Sequence, residues 1–368
     1  KKKKIFINKF IINNLFKKNF EINSFKRGLF PLNKINNSRF TIISTHSYSH
    51  IFGEKKYNFK FLFFQSFLDS LHMTTESDLV NIDYFFFHTK YWKNILRRYF
   101  GNKVRLIEKK TFFYGYPKIK NISQKSHEIK NYYNIKTNKK ILLLMYGNFN
   151  KSNSIFSSIL NFSNPINQIF RFIINTFKFK KFSLRAFMLI LKNISLDNFA
   201  NKINEIKKNN NYYIVIKTRK KSTPQNKLLS ISDKVIAENK FDPLAADKLI
   251  KISDLIIHFS STSIISAIYF NKQNLSILKP VDETLENDKK KYFFYRSIRK
   301  KKDDLFNYKN LSKKISFEDF INPVNKISFF EKNIFKNEAT YQNFIRKFIF
   351  DKSDALSFNK IYKIINKI

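Results

Sequence analysis

Four small hydroxyl residues, Ser260, Ser261, Thr262 and Ser263, stand between the apolar run DLIIHF, which opens at Asp254, and a second apolar run, IISAIYF, which begins at Ile264. The first run reads as a buried strand and the second as a helix, so the hydroxyls occupy a strand-to-helix turn. Such a turn caps the unpaired N–H groups of a helix, which an ordinary Ser/Thr cap also does. It further gathers those groups and its own hydroxyls around a spot where the helix dipole favours negative charge, and a diphosphate would fit there. Upstream, the strand NYYIVIKTRK delivers Lys217 and Arg219 at its end. In an open parallel sheet both features lie at the carboxyl ends of the strands, where ligands bind. Hydroxyls and cations would then converge on one anion.

Other chemistries find little support. The chain has no cysteine, which excludes a disulfide framework, a zinc-thiolate site and a thiol nucleophile. No HxH, HExxH, GxGxxG or GxxxxGK[ST] spacing occurs, nor a DxD beside a strand, so neither a metal hydrolase nor a P-loop NTPase is expected. The expected metal set is empty and no cofactor is called for.

The elements that must position these residues read as alternating strands and helices, the pattern of a parallel α/β sheet. RFTIIST, YNFKFLFF, IDYFFFH and TFFYGYP are strand patterns; TKYWKNILRRYFGN between the last two is a helix with Thr89 as N-cap, Tyr91, Ile95, Leu96 and Tyr99 at helical spacing, and Gly101 as its stop. KKILLLMYGNFN restarts the pattern with a continuous apolar run, as a strand buried on both faces should. SLDNFANKINEIKKNN follows as an amphipathic helix capped by Ser195 or Asp197, with Phe199, Ile203 and Ile206 inward. FDPLAADKLIKI is another helix and NLSILKP another strand. The expected division is a leader over 1–40, weakly determined or the remnant of a first βα unit; a first domain over 41–125; a polar linker over 126–138; a second domain over 139–330; and C-terminal helices over 331–368. The first domain is short for its class and is expected to be incomplete. The chain opens at Lys1 rather than Met, as a fragment would, and its start has neither the apolar core nor the cleavage site of a signal peptide.

Composition sets the remaining bounds. The 368 residues carry a formal charge of +43 with 43% hydrophobic and 17% aromatic residues, so a folded core must coexist with a very basic surface. Of the 70 basic residues 59 are Lys, scattered along a chain rich in Asn, Ile and Phe and poor in Gly and Pro. AT-rich codons account for much of that, whereas a nucleic-acid binder gathers Arg on one face. Nucleic acid is therefore not the expected partner. No run reaches the length of a membrane span.

SDLIIHFSSTSIISAIYFNKQNLSIL resembles the C-terminal donor-binding signature of GT-B-type glycosyltransferases of surface polysaccharide synthesis and of their relatives, the CDP-glycerol glycerophosphotransferases. YYIVIKTRK is similar to the strand that precedes it in that family, and IDYFFFHTKYWKNILRRYFGN with FFYGYPKIK resembles the end of the family's first domain. The resemblance covers about residues 40–330 in the right order. It implies two Rossmann-like domains facing a cleft, the first on the acceptor side and the second holding a nucleotide-activated sugar or polyol phosphate as substrate. Ser260, Ser261, Thr262, Ser263, Lys217 and Arg219 would bind the donor's diphosphate. No bound metal is implied. An acceptor hydroxyl then needs a general base, for which His46, after the TIIST strand, and Asp69 and His72, after FLFF, are the candidates; His50 also follows TIIST, and His258, inside DLIIHF, reads as core.

The sequence departs from the family where its usual acidic residue is Ser266, and where Gln65, Ser66 and Asp69 stand in place of an expected HG element. A non-catalytic GT-B-like assembly partner is therefore a rival reading, as is a basic RNA-binding or organellar ribosomal protein. The expected setting is a bacterial cytoplasm, with a saccharide or lipid-linked acceptor. The basic, aromatic stretch 169–190, bearing Arg171, Lys178, Lys180, Lys181 and Arg185, would then rest on the anionic inner face of the plasma membrane, or simply pack as a helical insertion.

Overall fold

The computed structural model describes residues 4–7, 21–23, 40–44, 59–65, 74–116, 122–146, 159–162, 164–179, 183–219, 224–237, 242, 244–259, 261–278, 305–309, 311–324, 338–350 and 358–367. The chain divides into two compact units, one made of Lys1–Pro117 with Glu338–Ile368 and the other of Lys118–Asn337. Each is built on a sheet whose described pairings are all parallel.

In the first unit the strands are β1 (Lys4–Ile7), β2 (Glu21–Asn23), β3 (Phe40–Ser44), β4 (Phe59–Phe64), β5 (Tyr84–Phe87) and β6 (Thr111–Phe113), in the order β2-β1-β3-β4-β5-β6. Phe61 to Phe64 and Phe85 to Phe87 are buried, and rings meet across the ladder: Phe64 stacks on Phe86 at 4.1 Å and Phe86 on Phe112 at 5.3 Å. Burial on both faces is why these strands read as unbroken apolar runs. The stretch expected to be a leader supplies β1 and β2. At four and three residues they are too short for alternation to be read from sequence.

Helix α1 (Glu76–Asn81) precedes β5 and α2 (Lys90–Phe100) follows it. Thr89 is the N-cap of α2 and Gly101, at φ 57°, ends it, as the sequence indicates; Tyr91, Ile95 and Leu96 are buried, whereas Tyr99 is exposed. Thr89 does not cap through its side chain. Its hydroxyl donates instead to the Lys347 carbonyl at 2.5 Å.

The second unit comprises α3 (Ser126–Tyr132), β7 (Ile141–Tyr146), α4 (Pro165–Phe179), α5 (Leu184–Leu191), α6 (Leu196–Asn210), β8 (Tyr213–Thr218), α7 (Asn226–Ile231), β9 (Lys234–Ala237), α8 (Ala245–Ile252), β10 (Leu255–His258), α9 (Ile264–Tyr269), β11 (Gln273–Leu278), β12 (Lys313–Ser316) and α10 (Phe317–Ile321). Its strand order is β12-β11-β10-β7-β8-β9. Side chains of β7 alternate between two cores: Leu142 and Leu144 meet Phe199 and Ile203 of α6 on one face, and Ile141 and Leu143 meet Ile129, Leu249 and Ile250 on the other. Ser195 caps α6 through its side chain, accepting the Asn198 N–H at 3.3 Å. The segment read as a linker over 126–138 contains α3, whose Ile129 is fully buried in this core, and the division between units falls earlier, after Pro117.

Three aspartates fix strand register by one device. Asp83, Asp233 and Asp254 each stand just before a strand, and each accepts a backbone N–H from the neighbouring strand, from Phe61, Ile214 and Ile141 at 2.8, 2.7 and 2.7 Å. Each also donates its own N–H to the carbonyl of the same residue at 2.9 Å. The carboxylate thus satisfies an amide at the start of the ladder that would otherwise lack a partner. Asp254, the acidic residue that opens the family-like signature, has this structural work.

The C-terminal helices α11 (Glu338–Phe344), continued by a π turn over Ile345–Ile349, and α12 (Phe358–Lys367) belong to the first unit. There Trp92 Nε1 donates to the Phe348 carbonyl at 3.3 Å and the Tyr116 N–H to that of Ile349 at 2.7 Å.

Candidate functional site

In the second sheet the chain runs outward from β7 through β8 to β9, then returns to place β10 on the other side of β7. The helices that follow neighbouring strands diverge at such a reversal, leaving a crevice at the carboxyl ends. The residues singled out in the sequence stand around that point. Register puts Lys217 of β8 beside Met145 of β7, and Met145 beside His258 of β10. Lys217 and His258 therefore lie two strand spacings, about 10 Å, apart in one row of the sheet.

Lys217 is buried, with Nζ donating to the Thr218 carbonyl at 2.7 Å. Arg219 is exposed, one residue beyond the strand. The two cations expected to act as a pair thus have different surroundings, one set within the edge of the sheet and one in solvent.

The loop after β10 is held by its own hydrogen bonds. His258 Nδ1 accepts the Ser261 N–H at 3.1 Å, Ser261 Oγ accepts the Ser263 N–H at 3.3 Å and donates to Ser263 Oγ at 3.1 Å. The Ile264 and Ile265 N–H groups donate to the carbonyls of Ser261 and Thr262, both at 3.2 Å. The first amides of this six-residue helix are accordingly engaged within the turn. Thr262, half-buried, lends only its carbonyl to these bonds. Ser260 lies outside the described residues.

Two further features shape the site, the first legible in the sequence as a core position and the second not. His258 is completely buried, and burial lowers its pKa to about 3, so the ring is neutral. Because Nδ1 accepts, the proton sits on Nε2, a buried donor with no partner among the described residues. The second feature is a buried carboxylate. Ser266, which stands where the related signature has an acid, donates its hydroxyl to Asp247 Oδ1 of α8 at 2.5 Å. Both residues are buried, and their bond ties the helix behind the hydroxyl loop to its neighbour. Nineteen residues separate them, so only the fold brings them together.

The carboxyl edge of the first sheet carries Gln65, His88, Tyr114 and Tyr116. Gln65 Oε1 accepts the His88 N–H at 3.1 Å, the Tyr114 hydroxyl donates to the Gln65 carbonyl, and the His88 ring lies 4.8 Å from that of Tyr116. Burial raises the Tyr114 phenol well above its ordinary range, which keeps it a donor. Gln65 stands in place of the HG element that the resemblance implies. His46, Asp69 and His72 lie outside the described residues; in the sequence they follow β3 and β4. Among the described residues no group of three His, Cys, Asp or Glu side chains could hold a metal ion. Among them, too, no helix is long and apolar enough to cross a membrane.

Neither a family model nor a curated protein matches the chain by sequence. Solved structures do match by fold. A variant of the wall teichoic acid polymerase TagF aligns with a TM-score of 0.53 at 12% identity, covering 100% of this chain and 88% of its own. The same variant soaked with CDPG gives 0.53 at 12% identity, with 100% and 88% covered. TagF itself gives 0.51 at 12% identity, with 100% and 89% covered. At this identity the likeness is one of fold: two parallel α/β units of GT-B type along the whole chain.

Proposed function

We propose that the chain is a metal-independent transferase of cell-surface polymer synthesis, moving a sugar or a polyol phosphate from a nucleotide-activated donor to a saccharide or lipid-linked acceptor hydroxyl. The observation that carries this reading is the placement of Lys217, His258 and Ser261–Ser263 around the reversal between β7 and β10. The fold is shared with a wall teichoic acid polymerase whose variant was soaked with CDPG, which supports a cytidine diphosphate donor.

In such a transfer the acceptor oxygen bonds to the donor's anomeric carbon, or to its phosphorus, as the bond to the leaving nucleotide breaks. Negative charge grows on the leaving phosphate. Arg219, exposed to solvent, and the hydroxyls of Thr262 and Ser263 are the groups to meet it, with Lys217 supplying fixed positive potential from within the sheet edge. The base that takes the acceptor's proton is assigned to His46, His72 or Asp69.

The self-contained hydrogen bonding of the loop favours a second reading, an assembly partner that keeps the fold without the reaction. Calorimetry with CDP, UDP, CDP-glycerol and UDP-sugars separates the two. Saturable binding of a nucleotide, with a rise in melting temperature and product on adding an acceptor, supports the transferase. Absence of binding by every nucleotide overturns it.

A further inference from the structure

Helix α4 is inside out for a helix facing water. Its side-chain amides face inward: Gln168 is fully buried and donates from Nε2 to the carbonyls of Phe162 and Ile194 at 2.7 and 3.0 Å, and Asn175 is also buried. Apart from Phe172, its described large apolar residues face out. Ile166, Ile169, Phe170, Ile173 and Phe177 are exposed, at spacings of three, four, seven and eleven from the first, which is one stripe of a helix. Because the bonds of Gln168 pin the helix to its neighbours, rotation cannot bury that stripe.

Helix α5 extends the surface. Its Leu184, Met188 and Leu191 are exposed at spacings of four and seven, while Ala186, Leu189 and Ile190 are buried, and the Phe172 and Phe187 rings join the two helices at 5.9 Å. Nine of the fifteen exposed large hydrophobic residues described in the chain fall on these two helices. A contiguous apolar face of this kind marks an interaction surface.

Charge identifies what covers it. Residues 165–191 contain Arg171, Lys178, Lys180, Lys181 and Arg185 and no acidic residue; indeed none occurs between Glu128 and Asp197. A second copy would bring the same cations against themselves, on a chain already at +43. A nucleic acid would meet the cations but leave the Ile and Phe stripe in water. An anionic bilayer meets both, taking the apolar side chains into the acyl boundary and the cations among its phosphates. Fifteen residues of α4 span about 22 Å, too short to cross the hydrocarbon core, so the helix lies in the interface plane.

We infer that α4 and α5 form a docking surface for an anionic lipid bilayer. The inference stands apart from the donor assignment, since none of its residues belongs to that site.

Co-sedimentation of the full chain with phosphatidylcholine vesicles, with and without phosphatidylglycerol, tests it. Binding is expected to vesicles containing phosphatidylglycerol and to weaken with added salt. The variant F170S with F177S should lose about tenfold or more of that binding while melting at the wild-type temperature, because both side chains are already exposed. The variant R171E, at an exposed cation of α4, should bind less well to the anionic vesicles and leave binding to neutral ones unchanged. Failure of the wild-type chain to sediment with anionic vesicles overturns the proposal, as does equal binding by the F170S/F177S variant. Self-association that the same serines abolish, without vesicle binding, overturns it in favour of a protein interface.

Discussion

His258 Nδ1 and the Ser261 backbone N–H are joined at 3.1 Å, so the last residue of β10 fastens the loop that follows it. The bond fixes the tautomer and aims the loop from a neutral, fully buried ring.

That ring gives the fold a pH dependence. Its folded pKa, about 3, lies below the ordinary value of 6.5, so the unfolded chain binds the proton that the native state refuses. The contribution is fully present above pH 6.5 and is lost as pH falls from there towards 3, at up to ~1.4 kcal/mol per unit. Denaturant titrations at pH 7 and pH 5 should show a loss for the wild-type chain that exceeds the loss in H258N by ~2 kcal/mol. Equal losses in the two proteins would place the imidazole in water.

The donor assignment predicts different outcomes for the two cations. R219A should weaken nucleotide binding several-fold and leave the melting temperature unchanged, since the side chain is exposed. K217A should lower stability as well, because Lys217 is buried and bonded at the sheet edge. The double change T262V and S263A should weaken nucleotide binding by ~1–3 kcal/mol, the worth of two neutral hydrogen bonds. Unaltered affinity in calorimetry of all three variants would remove the diphosphate from this edge.

The paired role of the strand-opening aspartates predicts a loss confined to one unit. D83A removes the acceptor for the Phe61 N–H and should cost ~1–2 kcal/mol. Hydrogen exchange should quicken along β4 and β5 with little change along β7. D254A should quicken exchange at Ile141 and along β7 and β10 instead.

What the sequence revealed follows the physics of burial. FLFF and ILLLM are legible as strands because both faces of each are covered, which leaves an unbroken apolar run. The edge strands β2, β9 and β12, with sequences EIN, KVIA and KKIS, have one open side and too few apolar residues to stand out. Thr89 and Gly101 marked the ends of α2 because caps are local. The Ser266–Asp247 bond and the row of Lys217, Met145 and His258 are products of strand order, which no spacing in the sequence encodes. The hydroxyl loop was visible as composition, but its internal bonding depends on where β10 turns His258.

Two glycines of the first unit should differ sharply in their tolerance of a side chain. Gly115 has φ +78°, and a Cβ there would lie 2.6 Å from Phe350 Cδ2, on the segment that returns from the C-terminal helices. Gly101, at φ +57°, has no atom within 4 Å of the same position among the described residues beyond its own chain neighbours. G101A therefore incurs backbone strain alone, about 1–2 kcal/mol. G115A adds a steric clash that must displace the Phe350 ring, while the neighbouring Tyr116 N–H bond to Ile349 resists movement of the backbone. Its loss should reach about 3 kcal/mol or more. Thermal unfolding of the two variants checks the order, and G115A combined with F350A should recover part of the loss. A G115A chain as stable as G101A would mean that the C-terminal segment does not lie against β6 in solution.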